Sequence, residues 1–289
     1  MYKSFYKLQL NPFGNNPDPR FLCMLPHTRE ALACLEYGIS ARKGFMVLTG
    51  EVGTGKTTLL RRALSSMNEK PVYTSFVFNP RLDVLEFLEF VLNDFGVVPE
   101  RRSKAAMLSD LNRFLIDRFA RGETCVVIID EAQNLPEEML EEVRLLTNLE
   151  TDTEKLLQLV LSGQPELEQK LREPALRQLR QRIALWCRTL PLSEEQTFAY
   201  IAARLMVAGR KETLFEPAAI HEVYRSSGGI PRLINLICEH SLLLGYADQQ
   251  LRITAATVRT VAADLDLELT TERNERPMKS FNIQAGRNR

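Results

Sequence analysis

Among the features of this 289-residue chain, the string Gly50-Glu51-Val52-Gly53-Thr54-Gly55-Lys56-Thr57 most narrows what it can fold into. It fits G-x-x-x-x-G-K-[ST] and stands where that pattern has physical meaning. An apolar run from Gly44 enters it, and a helical pattern through Leu59, Leu60 and Leu64 leaves it. Glycines let the backbone curl so that its N–H groups and the helix N-terminus face an anion. Lys56 then supplies a point charge at a β- or γ-phosphate, the Thr57 hydroxyl is a ligand for Mg²⁺, and Thr58 follows within the same contact set. A plain glycine turn is the alternative, and it needs neither the strand before nor the helix after.

The runs Gly44–Gly50, Cys125–Asp130 and Leu156–Leu161 are continuously apolar and close on glycine or polar residues, the pattern of strands buried on both faces of a parallel sheet. Val72–Phe78 and Ala184–Leu190 bring the expected number to about five. Between them, Val84, Leu85, Leu88, Val91, Leu92 and Phe95 share one helical face, as do Met139, Leu140, Val143 and Leu146. Alternation of this kind predicts a three-layer α/β/α domain with a parallel sheet. After Pro191-Leu192-Ser193 the strand-like runs stop. Ser193 suits a helix cap with Glu194, Glu195 and Gln196 in the first turn, and helices are expected near 193–208, 217–226, 230–246 and 254–264. The expected organisation is therefore an α/β nucleotide-binding domain over 1–190, with an N-terminal box at 1–43 and the phosphate loop at 50–57. A helical domain over 191–267 and a polar tail over 268–289, expected to be mobile, would follow it.

Val126-Val127-Ile128-Ile129-Asp130-Glu131 supplies a second half to the site. An aspartate ending a buried strand can hold a Mg²⁺ shell, and the carboxylate beside it can polarise an attacking water. Alone, an acidic pair at a strand end is more often a helix cap or a solvated corner; behind a phosphate loop it becomes a catalytic candidate. The bulk charge adds little, because 37 Lys and Arg balance 37 Asp and Glu. That balance argues against nucleic-acid binding by a general basic field without excluding a local basic strip. Five scattered cysteines with no Cys-x-x-Cys pair suggest neither a disulfide framework nor a zinc site.

Together these residues, with a polar residue after the Leu156–Leu161 strand and an arginine-rich helix end before the Ala184 strand, resemble an AAA+ ATPase. More narrowly, several strings in order resemble the ExeA/GspA type: Asn11-Pro12-Phe13, Pro17-Asp18-Pro19-Arg20-Phe21-Leu22, Asp130-Glu131-Ala132-Gln133-Asn134-Leu135, Gly163-Gln164-Pro165-Glu166-Leu167 and Gly228-Gly229-Ile230-Pro231-Arg232. The resemblance runs from about residue 2 to 265. It implies ATP and Mg²⁺ as cofactors, hydrolysis of ATP with Glu131 as base or water-orienting group, and assembly as a nucleotide-dependent homo-oligomer, a ring or a filament.

Carried over by position, the resemblance also assigns outer roles. Asn79 resembles the polar residue that restrains the catalytic glutamate, although an Asn before Pro80 equally suits a turn. Gln164 resembles the first sensor, with Ser162 as the substitute. Arg232 resembles the second sensor, which couples the angle of the helical lid to the γ-phosphate. Of Arg177, Arg180 and Arg182, one is expected to act as an arginine finger in a neighbouring subunit, Arg182 first and Arg180 next, against the alternative of a solvated face. Separately, because a base stacks well on apolar and aromatic surface, Phe13 and Ile39 are expected to flank the adenine, with Leu22 packing nearby.

The family's role implies a motor or switch that couples ATP turnover to assembly or remodelling of an envelope or secretion complex. Its long forms continue through a membrane span into a wall-binding region, and the sequence stops at Arg289 without either. No apolar run approaches the roughly 18 residues of a span. The expected place is thus the cytoplasm, peripheral to the inner membrane through a membrane-protein partner. A second reading, from a different class, is a transposition-regulator type of AAA+ protein assembling on DNA. For it the stretch Lys170, Arg172, Arg177, Arg180, Arg182 and Arg188 is suggestive.

Overall fold

The computed structural model describes residues 1–14, 16, 18–67, 71–78, 82–212 and 214–267. The expected polar tail at 268–289 and the candidate Asn79 lie outside them. The strands are β1 (Phe45–Thr49), β2 (Val72–Val77), β3 (Thr124–Ile129), β4 (Leu157–Gly163) and β5 (Leu185–Arg188). The helices are α1 (Tyr2–Phe5), α2 (Pro26–Ser40), α3 (Lys56–Ser65), α4 (Val84–Asp94), α5 (Lys104–Ala120), α6 (Glu137–Leu146), α7 (Pro165–Leu171), α8 (Arg177–Arg182), α9 (Glu194–Val207), α10 (Pro217–Ser227), α11 (Pro231–Ala247) and α12 (Ala255–Asp264).

The five strands form one sheet in the order β2-β3-β4-β1-β5, and every pairing is parallel. Side chains alternate along a strand, so the central strands feed two cores. Phe45, Val47, Val127, Ile129, Leu159 and Leu161 face α4 to α8. Met46, Leu48, Val126, Ile128, Val160 and Cys187 face α2 and α3. Each such side chain, removed from water, contributes roughly 1.5–3 kcal/mol. Helix α5, for which the strand-and-helix pattern above assigns no element, is capped by Ser103 and buries Met107, Leu111 and Leu115 at four-residue spacing.

The last four helices begin within two residues of the expected positions. Ser193 Oγ accepts from Gln196 N–H and Gln196 Oε1 accepts from Ser193 N–H, so the capping box forms as the sequence implies. They close on a third core that also takes in Tyr6, Leu8 and Phe13 from the start of the chain. Tyr2 Oη donates to Glu239, Tyr6 Oη donates to the Gln250 carbonyl, and Gln9 N–H donates to the Ala208 carbonyl. The first fourteen residues thus pack on the helical part, while α2 packs on the sheet.

Candidate nucleotide-binding site

The parallel order brings all five carboxyl strand ends to one edge of the sheet. Gly50 N–H donates to the Gly163 carbonyl, Asp130 N–H to Val77, and Thr189 N–H to Thr49. Ligands of open α/β sheets bind beyond such carboxyl ends. A cavity of about 380 Å³ lies there, walled by the Val52–Leu59 loop and helix start, Asp130, Glu131, Thr189 and, from the helical part, Tyr200, Arg204, Arg232 and Asn235.

Gly53 and Gly55 hold φ of +81° and +95°, the left-handed region that side chains avoid. Gly53 has a second constraint: a Cβ there would lie 2.6 Å from the Arg232 Cβ. The Gly53 carbonyl also accepts the Arg232 N–H, at 3.1 Å. The start of α11 therefore docks directly on the phosphate loop. Lys56 is 7% exposed and its Nζ donates to the loop's own carbonyls at Gly50 (2.7 Å) and Glu51 (3.1 Å). Burial pulls its pKa below the ordinary lysine value, against the pull of Glu131 and Asp130. A cation held by neutral carbonyls would exchange them for phosphate oxygens at a gain.

Asp130 is gripped on both oxygens. Ser162 Oγ donates to Oδ1 at 2.8 Å, and Thr57 Oγ1 donates to Oδ2 at 3.3 Å. Two hard oxygen donors side by side, next to a loop shaped for phosphates, suit Mg²⁺, which favours few protein ligands plus phosphate oxygens. Among the described residues no cluster of three or more His, Cys, Asp or Glu offers an all-protein metal cage.

Glu131 takes φ +51°, ψ +37°, a conformation rare outside glycine, and this turns the chain back on itself. As a result Gln133 Nε2 donates to Glu131 Oε2 at 2.6 Å, and Gln164 Nε2 donates to the same oxygen at 3.2 Å. Gln133 Oε1 in turn accepts the Gln164 N–H at 3.1 Å. Gln164 thus meets Glu131, whereas Ser162, the substitute, meets Asp130. Gln133 is a partner of Glu131 that the sequence offers only as part of a longer string. Its signal, an amide two residues from a carboxylate, acquires meaning once the backbone turn is known.

The expected adenine flanks are corrected. Phe13 is 1% exposed and packs edge-to-face on Phe215 at 5.9 Å within the helical core, and Ile39, also 1% exposed, is buried between α2 and the sheet. Both are drawn away by ordinary core packing. Leu22, expected nearby, does line the cavity, and Phe21, Cys23 and Leu25 extend its apolar wall. Behind that wall stands buried Arg204. It donates to the Pro12 carbonyl, to the Gly14 carbonyl at 3.2 Å and to Tyr200 Oη at 2.8 Å, and it lies 4.7 Å from the Phe21 ring centre. Thr189 is another unforeseen member: its hydroxyl shares a 2.7 Å hydrogen bond with Thr54.

Arg180 and Arg182 do not line the cavity. They are exposed on α8, which leads into the amino end of β5, the far end of the sheet from Gly50. Arg180 Nη1 reaches only the Arg172 carbonyl, at 3.5 Å. Two other cations of the basic stretch are engaged within the chain. Lys170 donates to the Gln133 and Leu135 carbonyls, and Arg188 forms a two-pronged pair with Glu168 at 2.9 and 2.7 Å.

Comparison with known proteins agrees with this geometry. A family model described as an AAA domain matches residues 39–171. General secretion pathway protein A of Aeromonas hydrophila is 44% identical over 268 residues, covering 92% of this chain and 48% of that protein. The chain therefore spans about half the length of that relative. Among solved structures, the ORC2 protein of Aeropyrum pernix in its ADPNP–ADP complexes superposes with a TM-score of 0.65 at 15% identity, over 88% of this chain and 71% of that one. Cdc6p from Pyrobaculum aerophilum gives 0.63 at 18%, over 91% and 70%. The RuvB Holliday junction branch migration motor of Thermotoga maritima gives 0.53 at 19%, over 82% and 69%. At these identities the solved structures speak for the fold alone.

Proposed function

We propose that the chain, which matches an AAA-domain model over residues 39–171 and is 44% identical to General secretion pathway protein A over 92% of its length, is an AAA+ P-loop protein that hydrolyses ATP. The observation that carries this reading is the convergence of Lys56, Thr57, Asp130 and Glu131 on one cavity. The phosphates would lie on the Gly50–Thr57 loop, with Lys56 and the α3 N-terminus neutralising their charge. Thr57 and Asp130 would hold Mg²⁺, whose bound charge withdraws electrons from the phosphate oxygens. Glu131, oriented by Gln133 and Gln164, would align water for in-line attack and accept its proton.

Tyr200, Arg204, Arg232 and Asn235 supply the helical side of the cavity, so α9 to α12 serve in this reading as a lid that senses the nucleotide. The trans role of Arg182, with Arg180 as the next choice, is favoured by their distance from the loop of their own chain. Nucleotide-dependent homo-oligomers would complete the site. Glu131→Gln is expected to bind Mg-ATP while turnover falls by roughly 10²–10⁴-fold, and Lys56→Ala is expected to lose binding or turnover. Normal turnover by Glu131→Gln would sink the assignment.

For the biological role we infer a motor or switch for assembly of a secretion or envelope complex, acting through a membrane partner at the inner membrane, supported by the relative's name. Among the described residues no helix is long and apolar enough to cross a membrane. The test is capture from detergent-solubilised envelopes. A membrane protein retained by Glu131→Gln with ATP, and released by Lys56→Ala, supports the role; indifference to the variant counts against it. Assembly on DNA is the weaker reading, because Lys170 and Arg188 are already spent within the chain. Anisotropy titrations without binding at low salt would remove it.

A further inference from the structure

Cys34 on α2 and Cys187 on β5 occupy one patch. Both belong to the core between α2, α3 and the sheet, Cys187 as a buried member and Cys34 at its partly exposed margin. The Cys34 Sγ lies 4.0 Å from the carbonyl oxygen of Trp186, the residue before Cys187. We propose that Cys34 and Cys187 form a redox-active dithiol site that peroxide closes to a disulfide, stapling α2 to the edge strand β5.

The chemistry of the two sulfurs differs in the required direction. Hydrogen bonding from Cys187 holds the Cys34 thiol below its ordinary value, whereas Cys187 is raised. Burial also raises Cys23, Cys238 and Cys125, the last to about 12. Cys34 is thus held low and partly exposed, the properties of a peroxide-reactive cysteine. Its thiolate attacks one peroxide oxygen, the O–O bond breaks, and sulfenic acid and water result. The Cys187 sulfur then attacks the sulfenic sulfur, the S–S bond forms, and a second water leaves with the Cys187 proton. Two thiols are oxidised and one hydrogen peroxide is reduced to two waters.

The staple would join two walls of the cavity. Helix α2 begins beside it with His27 and Thr28, and Thr189, two residues past Cys187, bonds to Thr54 of the loop. The proposal stands apart from the assignment of ATP hydrolysis, because it is read by mass rather than by activity. Full-length protein is treated with hydrogen peroxide, blocked with iodoacetamide and digested with trypsin without reduction. The expected product is Glu30–Arg42 linked to Ile183–Arg188, lost on adding dithiothreitol. In Cys187→Ser, dimedone is expected to trap sulfenic acid on Cys34. Recovery of both wild-type peptides as alkylated thiols, or linkage of a different pair, overturns the proposal; so does dimedone labelling of Cys187→Ser at Cys23 with Cys34 untouched.

Discussion

Lys56 carries its charge where water barely reaches, and the loop's carbonyls only partly replace that water. Removing it should cost the free protein little, since a poorly compensated buried cation is lost together with its hydrogen bonds. Thermal melts of Lys56→Ala are expected to match wild type without ligand. They should lack the stabilisation that Mg-ATP gives wild type, about 2.7 kcal/mol at a hundredfold excess over Kd. Gln133 offers a finer test. Its amide is one of two that donate to Glu131 Oε2, and a hydrogen bond to a charged group is worth about 1.5–3 kcal/mol. Gln133→Ala is expected to lower kcat by roughly tenfold or more with little change in nucleotide affinity; an unchanged kcat would exclude the role. Lys56, Thr57, Asp130 and Glu131 are legible in sequence because their chemistry is written in consecutive residues beside strands. Gln133 is not, because its contact depends on the left-handed backbone at Glu131.

At the scale of elements, all five strands and the four final helices follow from apolar runs, periodicity and caps, for those patterns record burial directly. Which helix touches which loop is a different kind of fact. Gly228-Gly229-Ile230-Pro231 reads as a break in the sequence, yet its work lies in a contact with another segment. The carbonyl of Gly229, a residue at φ +74°, accepts the Leu192 N–H at 2.8 Å, and a Cβ on Gly229 would meet the Leu192 carbonyl oxygen at 1.9 Å. This contact joins the start of α11 to the segment that leads from β5 into α9. Gly229→Ala is expected to destabilise by about 2 kcal/mol or more, lowering Tm by at least roughly 4 °C. A variant that melts with wild type would show that the segment can yield. The misplaced Phe13 and Ile39 belong to the same lesson: an apolar residue near a site in sequence is claimed by whichever core reaches it first.

Across the whole molecule, the chain passes between the sheet and the helical part twice, at residues 18–25 and 189–193 among those described, and both passages touch the cavity. Arg204 ties the first passage down through Pro12, Gly14 and Phe21. Arg204→Ala is expected to raise amide hydrogen exchange across residues 1–14 while β1, β3 and β4 stay protected; uniform protection would show that Tyr6 and Phe13 suffice. The same tie has a consequence for synthesis. The partners of Tyr2, Tyr6 and Gln9 are Glu239, Gln250 and Ala208, so this segment completes a core whose other members are made much later along the chain. At about 5–20 residues per second, Tyr6 and Phe13 spend on the order of ten to fifty seconds without a core to enter, while the sheet can already form between them and their destination.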